Sequence, residues 1–299
     1  MSVLIAFAPG KGSVGALDLG ARLARSSGAD IHVATVVPKP WSTPSMARVD
    51  AEFADWAAAT AAESEAKAQH YLADRAPDIT ASFHRLAHRS VSTALTEAAQ
   101  ELSASVLVLG SSGDGALGQV VVGSTADKLL HSSPVTVALA PRGYRMRDRA
   151  TLTRITCAFS GDSEASRVVG PTAELARDAG IPLRLASFVV RGATMYPPEI
   201  GLRAEDDVAA ELARGLSEAL TAAVDDAVAV GLSADHVTTE LASAGSWREA
   251  LDELHWQDGE VLSIGSSGPL GPIARVFLGS RATKIIRHSP VPVLVLPHR

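Results

Sequence analysis

The sequence predicts an α/β protein made of two tandem copies of a five-stranded parallel-sheet domain. Three observations predict it. Strand-like and helix-like runs alternate along the chain, the second half rewrites the first, and 46% of the 299 residues are hydrophobic against 20% charged. That balance belongs to a chain that buries a core and not to a disordered one.

The repeat is the most specific of the three. Val3-Leu-Ile-Ala-Phe7 returns as Ile155-Thr-Cys-Ala-Phe159, and Leu23-Ala-Arg-Ser-Ser-Gly28 returns as Leu175-Ala-Arg-Asp-Ala-Gly180, both at an offset of 152. Val108-Leu-Gly-Ser-Ser-Gly113 matches Ser263-Ile-Gly-Ser-Ser-Gly268 at 155, and Ser133-Pro-Val135 matches Ser289-Pro-Val291 at 156. So slow a drift is what small loop insertions produce. The boundary falls in the polar stretch near Arg142–Thr151, giving domains of residues 1–143 and 152–299.

Each copy then justifies its elements in order. In the first, β-rich runs occupy 2–8, 31–37, 79–86, 105–110 and 134–140, and helical patterns occupy about 14–26, 46–74, 90–103 and 124–131. The second copy places strands near 154–160, 183–190, 236–242, 260–265 and 291–296. Gly28 and Gly180 stop the first helix of each copy, as glycine does just past a helix end. Strands joined by helices imply right-handed βαβ crossovers and a parallel sheet covered on both faces.

Charge and cysteine usage narrow the function. A net charge of −6 argues against a nucleic-acid partner. The basic cluster Arg142-Gly-Tyr-Arg-Met-Arg147 reads as a solvated linker. The single cysteine, Cys157, lies in an apolar run and reads as a small buried hydrophobe, with no intrachain disulfide possible. No apolar stretch approaches membrane-spanning length, and the N-terminus has no leader pattern, so a soluble cytoplasmic protein without a membrane partner is expected.

Two glycine-rich stretches compete for a ligand. Gly10-Lys-Gly-Ser-Val-Gly15 follows the first strand with dinucleotide-binding spacing. A dinucleotide site also needs an acid at the end of the second strand, where the sequence reads Val36-Val-Pro-Lys-Pro40. Asp30 has nearly the right separation but precedes that strand, and the second copy does not echo the glycines. The stretch therefore reads as the turn opening the first helix. Later, Gly110-Ser-Ser-Gly113 leaves the fourth strand and Gly123-Ser124-Thr125 opens a helix. Such glycines let backbone N–H groups face an anion, and the helix start favours negative charge. On chemistry alone, a phosphate cradle and a plain turn capped by Ser124 both remain open.

At these residues the chain resembles the universal stress protein family, whose signature is G-x2-G-x9-G-[ST]. Gly110, Gly113, Gly123 and Ser124 match without a gap, while Gly265, Gly268, Gly279 and Ser280 match with one extra residue. The likeness covers nearly the whole chain. It implies an adenine-nucleotide alpha hydrolase-like fold, a stress-response binding or regulatory role, and ATP on the glycine loop. That would assign Gly110, Gly113, Gly123, Ser124 and Thr125 to phosphate in the first copy, and Gly265, Gly268, Gly279 and Ser280 in the second. Members of the family carry an aspartate after the first strand to hold the nucleotide. Here Ala8 and Ser160 stand in its place, with Asp162 two residues late. Pro269 and Pro272 remove donors from the second loop, although Arg275 and Arg281 could add charge there, so the first copy is the better cradle.

The two copies should pack as an intrachain pseudo-dimer, with a homodimer left open. Alternatives are a member acting through protein contacts alone, or a weak ATP-hydrolysing enzyme. Catalysis has no positive support, since no phosphate-binding lysine loop or nucleophile triad is present.

Other residues read as structural. His84 and His88 read as surface residues and not as a metal pair, and His131 and His288 as last-turn helix residues. Trp41 reads as a loop shield, and Phe53 with Trp56 as the inward stripe of a long helix.

Overall fold

Strands β1 (Ser2–Ala6) and β4 (Val106–Gly110) are buried at four consecutive positions each, as parallel strands covered on both faces must be. The computed structural model describes residues 2–8, 13–39, 47–112, 116–147, 149–190, 202–266 and 280–297. The chain divides into two units, Met1–Thr151 and Leu152–Arg299.

In the first unit β1 pairs with β2 (Asp30–Pro38) on one side and with β4 on the other. β2 pairs with β3 (Ala81–His88), and β4 with β5 (Thr136–Ala140). Every ladder is parallel, and the order is β3-β2-β1-β4-β5. Helices α1 (Ser13–Ser27), α2 (Ala47–Arg75), α3 (Val91–Glu101) and α4 (Ser124–Ser132) make the crossovers. The second unit repeats the plan. β6 (Arg154–Ala158), β7 (Leu183–Val190), β8 (Val237–Ala244), β9 (Glu260–Gly265) and β10 (Val293–Leu296) lie in the order β8-β7-β6-β9-β10. Its helices are α5 (Ser163–Asp178), α6 (Leu202–Ala229), α7 (Trp247–Asp252) and α8 (Ser280–His288). No described helix is long and apolar enough to cross a membrane.

Gly28 and Gly180 adopt φ of 63° and 65°, the left-handed conformation that stops α1 and α5. α1 lies hard on β1: a Cβ on Gly20 would stand 2.2 Å from Ile5 Cδ1.

Three expectations need correction. Trp56 is 54% exposed, so it is not part of an inward stripe. α2 instead buries Leu72 and the small residues Ala57, Ala61, Ser64 and Ala68, which let the helix approach β2, while Phe53 is half-buried with its ring centroid 5.5 Å from that of Trp56. The segment 142–147 is not merely solvated. Tyr144 Oη accepts from Arg22 Nη1 at 2.9 Å, Met146 is fully buried, and Arg75 Nη2 donates to the Met146 carbonyl at 2.8 Å. His84 and His88 are half-buried and separately engaged. His84 Nε2 lies 3.1 Å from His32 Nδ1, while His88 Nδ1 accepts from the Ser90 amide at 2.9 Å. Burial first, and then the neighbouring His32, hold the His84 imidazole below its ordinary pKa.

At the amino ends of the second unit's strands the same positions carry charge. Arg184 Nη2 donates to Glu260 Oε1 at 2.7 Å and Arg184 Nη1 to Glu240 Oε2 at 2.8 Å, while Arg154 Nη2 donates to Glu260 Oε2 at 2.7 Å. Glu260 and Arg184 are buried, and the network closes through Thr156. Removing one member of such a buried cluster strands its partners, which is costlier than never having had it.

Asp18 is the buried carboxyl of α1, one turn from the equally buried Arg22. Its Oδ2 accepts from Tyr71 Oη at 3.0 Å. Desolvation raises its carboxyl pKa despite the opposing hydrogen bond and the charges of Arg145 and Arg75, and pushes Tyr71 up to about 12. A raised folded-state pKa contributes stability below the ordinary carboxylate pKa and loses it as pH rises through the folded value. Asp18→Asn keeps an acceptor for Tyr71 and removes the charge. It is therefore expected to melt higher than the parent at pH 7, with the gap closing as pH falls from the raised folded-state pKa toward the ordinary carboxylate value of about 4, in thermal unfolding followed by circular dichroism.

Candidate functional site

In an open parallel sheet the crevice lies beyond the carboxyl ends of the strands, where their order reverses. That reversal is between β1 and β4 in the first unit and between β6 and β9 in the second. Asp30 pairs with Ser2 at the other end of β1, so it cannot serve a ribose in this crevice. Of the opening glycine motif, residues 9–12 lie outside the described residues. Gly15 falls within α1, where a Cβ would meet the Tyr144 carbonyl at 3.4 Å, so its role is helix packing.

The first crevice is assembled by backbone. Phe7 N donates to the Ala34 carbonyl at 2.9 Å, and Thr35 Oγ1 donates to the Phe7 carbonyl at 3.0 Å, which fixes the chain as it leaves β1. Ala8 follows, exposed and with no polar side chain. Beyond β4 the chain returns on itself. Ser112 N donates to the Val121 carbonyl at 2.9 Å, and the Ser111 hydroxyl reaches the same carbonyl at 3.2 Å. Gly118, at φ 79°, donates to the Arg142 carbonyl at 2.8 Å.

This return brings Gly123 beside the strand end, where its Cβ would lie 3.5 Å from Ser112 Cβ. Gly110, Gly123, Ser124 and Thr125 are thus gathered at one strand end. Gly113 lies outside the described residues.

The start of α4 differs from other helix starts in the chain. Ser90 caps α3, Asp162 caps α5 and Ser246 caps α7, each through its side chain. α4 begins at Gly123 with no side-chain cap. Its first amides, with the hydroxyls of Ser124 and Thr125, have no side-chain partner among the described residues. Four orphan N–H groups and the positive end of the helix dipole favour an anion there.

The second crevice shares the scaffold and differs in its lining. Phe159 N donates to the Ala186 carbonyl at 2.8 Å, and Ser187 Oγ donates to the Phe159 carbonyl at 2.7 Å. Asp162 does not stand in for the missing aspartate. Its Oδ1 accepts the Ala165 amide at 2.8 Å as a helix cap, and its Oδ2 accepts the Ser160 hydroxyl at 2.8 Å. Gly265 is required by packing: a Cβ there would lie 2.2 Å from Val168 Cγ2 on α5. Gly268 and Gly279 lie outside the described residues, as do Pro269, Pro272, Arg275 and Trp41.

A cavity of about 370 Å³ opens here, lined by Phe159, Val168, Phe188, Leu216, Trp247 and Arg281 among others, with Ser280 at its edge. The glycine signature favours the first copy, and nothing in it announces this cavity. Its signal was substitution between copies. Phe188 and Trp247 occupy the positions that Val36 and Val91 hold in the first, at offsets of 152 and 156.

Cys157 is buried and desolvation pushes its thiol up to about 12, which makes it inert at neutral pH. No cluster of three or more metal-ligating side chains occurs among the described residues. His131 and His288 do fall in the last turns of α4 and α8.

Comparison with known proteins follows the same division. The profile of the universal stress protein family matches residues 1–141 and again 151–297. A universal stress protein of Mycobacterium bovis and one of Mycobacterium tuberculosis are each 48% identical over 301 aligned residues, covering 99% of this chain and all of theirs. Among solved structures, a universal stress protein from Archaeoglobus fulgidus superposes with a TM-score of 0.63 at 19% identity, covering 100% of this chain and 98% of its own. A putative universal stress protein from Pseudomonas aeruginosa gives 0.51 at 16% identity, covering 99% and 92%. These two likenesses concern the fold.

The Gly265–Val168 contact makes a direct prediction. Gly265→Ala should destabilise the protein by about 1–3 kcal/mol through overpacking. In a Val168→Ala background the same change should cost markedly less, as a double-mutant cycle in urea would measure. Equal costs in both backgrounds would mean that α5 does not press on this glycine.

Proposed function

The chain belongs to the universal stress protein family, and from that premise we propose that its first domain binds an adenine nucleotide, with ATP as the reference ligand. In this reading the protein is a cytoplasmic stress-response binding module and not a dedicated enzyme. The uncapped start of α4, set against Gly110 and Gly123 at the β1–β4 reversal, carries the reading. Phosphate oxygens would accept from the amides of Thr125 and Ala126, with the Thr125 hydroxyl as a further donor. A helix start contributes about 0.3–1 kcal/mol per anion when exposed, and more when partly buried.

Ribose recognition is the weak part. Ala8 supplies no acceptor, and a carboxylate there would make one of the stronger hydrogen bonds to the sugar hydroxyls. Affinity should therefore be modest, at a dissociation constant between about 10 µM and 1 mM. The same absence motivates a second reading, in which the domain acts through protein contacts alone.

Calorimetric titration of the full chain with ATP, ADP and NAD separates the two. Saturable heat with ATP and ADP is expected, and Gly123→Val should weaken binding at least tenfold by placing a branched side chain against Ser112 and the first amides of α4. No heat with any nucleotide would leave the protein-contact reading standing. Unchanged affinity in Gly123→Val would put the nucleotide elsewhere, and sustained turnover of ATP would make the protein an enzyme.

A further inference from the structure

We propose that the cavity of the second domain is a separate binding site for a small apolar anion. The ligand class is an aromatic or branched hydrocarbon body bearing one carboxylate, sulfonate or monophosphate group, and not a nucleoside triphosphate. The inference concerns the second domain and stands independently of nucleotide binding in the first.

Size and lining set the body of the ligand. About 370 Å³ falls at the small end of ligand pockets, which run from about 300 to 1,000 Å³. Its floor is Phe159, Val168 and Ile264, and its walls include Leu216 and the pair Phe188–Trp247, whose ring centroids lie 5.9 Å apart. Both rings are only half-buried, so each keeps apolar surface to cover. Trp256, elsewhere in this domain, satisfies its indole by donating to the Leu251 carbonyl at 2.7 Å. The Trp247 indole has no hydrogen-bond partner among the described residues, although a partly buried tryptophan N–H ordinarily finds one. An apolar ligand with an acceptor on its edge would satisfy both features.

The charge follows from what is already engaged. Asp162 borders the cavity, but its two oxygens hold Ser160 and the first turn of α5. Arg281, in the first turn of α8, also lines the cavity and makes no ion pair or hydrogen bond among the described residues. The first domain has Thr125 at this position, at an offset of 156. One free guanidinium reinforced by a helix start suits one anionic group. A triphosphate would bring several negative charges against a single arginine and a neighbouring carboxylate.

Two fluorescent probes separate body from charge: 1-anilinonaphthalene-8-sulfonate, an aromatic monoanion, and N-phenyl-1-naphthylamine, its uncharged counterpart. Both should bind the full chain saturably. Arg281→Gln should weaken the sulfonate by about tenfold or more and leave the neutral probe unchanged, since a charge-assisted contact is lost and the apolar walls remain. Phe188→Ala should weaken both probes, with thermal unfolding confirming that each variant is folded. ATP in excess should not displace the sulfonate.

Absence of saturable binding, or binding indifferent to both substitutions, would overturn the proposal. Displacement by ATP that Arg281→Gln abolishes would make the cavity a nucleotide site and overturn it equally. Absence of ATP heat in calorimetry would bear on the first domain alone.

Discussion

The reversal of strand order at β1–β4, and its repeat at β6–β9, is the constraint from which the remaining architecture follows. Right-handed crossovers that run in opposite directions along a parallel sheet lie on opposite faces, and the chain leaves β1 in one direction and β4 in the other. The divergence opens a crevice at the carboxyl ends. Helices following these strands start at that same end, so their positive termini converge on the opening. Close packing then fixes the geometry. Gly20 against Ile5 seats α1 on β1, and Gly265 against Val168 seats α5 on β9.

Polar and charged side chains are joined toward the other end of the strands. In the second domain Arg184, Glu240 and Glu260 form a buried charged network at the amino ends of β7, β8 and β9. In the first domain the positions of Arg184 and Glu240 belong to His32 and His84, as the matching strand registers show: Leu4 with His32 and Thr156 with Arg184, then Ala34 with His84 and Ala186 with Glu240. One copy joins its edge strand by an ion pair and the other by a bond between two imidazoles. The duplication has kept its backbone and exchanged its chemistry. The same holds at the carboxyl ends, where a helix start without a side-chain cap in one copy corresponds in the other to an apolar cavity lined by Arg281, which has no partner among the described residues.

Much of this was legible in the sequence because parallel strands are short apolar runs and the repeat named each twice. The helix stops followed from Gly28 and Gly180, and the strand positions from the apolar runs, whereas the strand order came only with the ladders. What was not legible depended on partners far along the chain. Arg142–Arg147 looks solvated until Tyr144 meets Arg22 and Met146 sinks beside α1. Trp56 looks like a core residue until α2 is seen to approach β2 through alanines. The signature glycines Gly110 and Gly123 were readable by spacing, whereas the loop that joins them is set by backbone bonds from Ser112 and Gly118 that no side-chain pattern announces. The cavity was hidden for the same reason, since Phe188 and Trp247 meet only across β7 and α7.

The central claim is that the duplicated crevices have separate occupants, with the anion-binding amides retained in the first. It is tested most directly by following backbone amide resonances of the ¹⁵N-labelled full chain during titration with ATP. The account predicts saturable shifts at Gly110, Ser111, Thr125 and Ala126, with Gly265, Ser266, Arg281 and Ala282 unmoved. Shifts confined to the second set, or none in the first turn of α4, would contradict it.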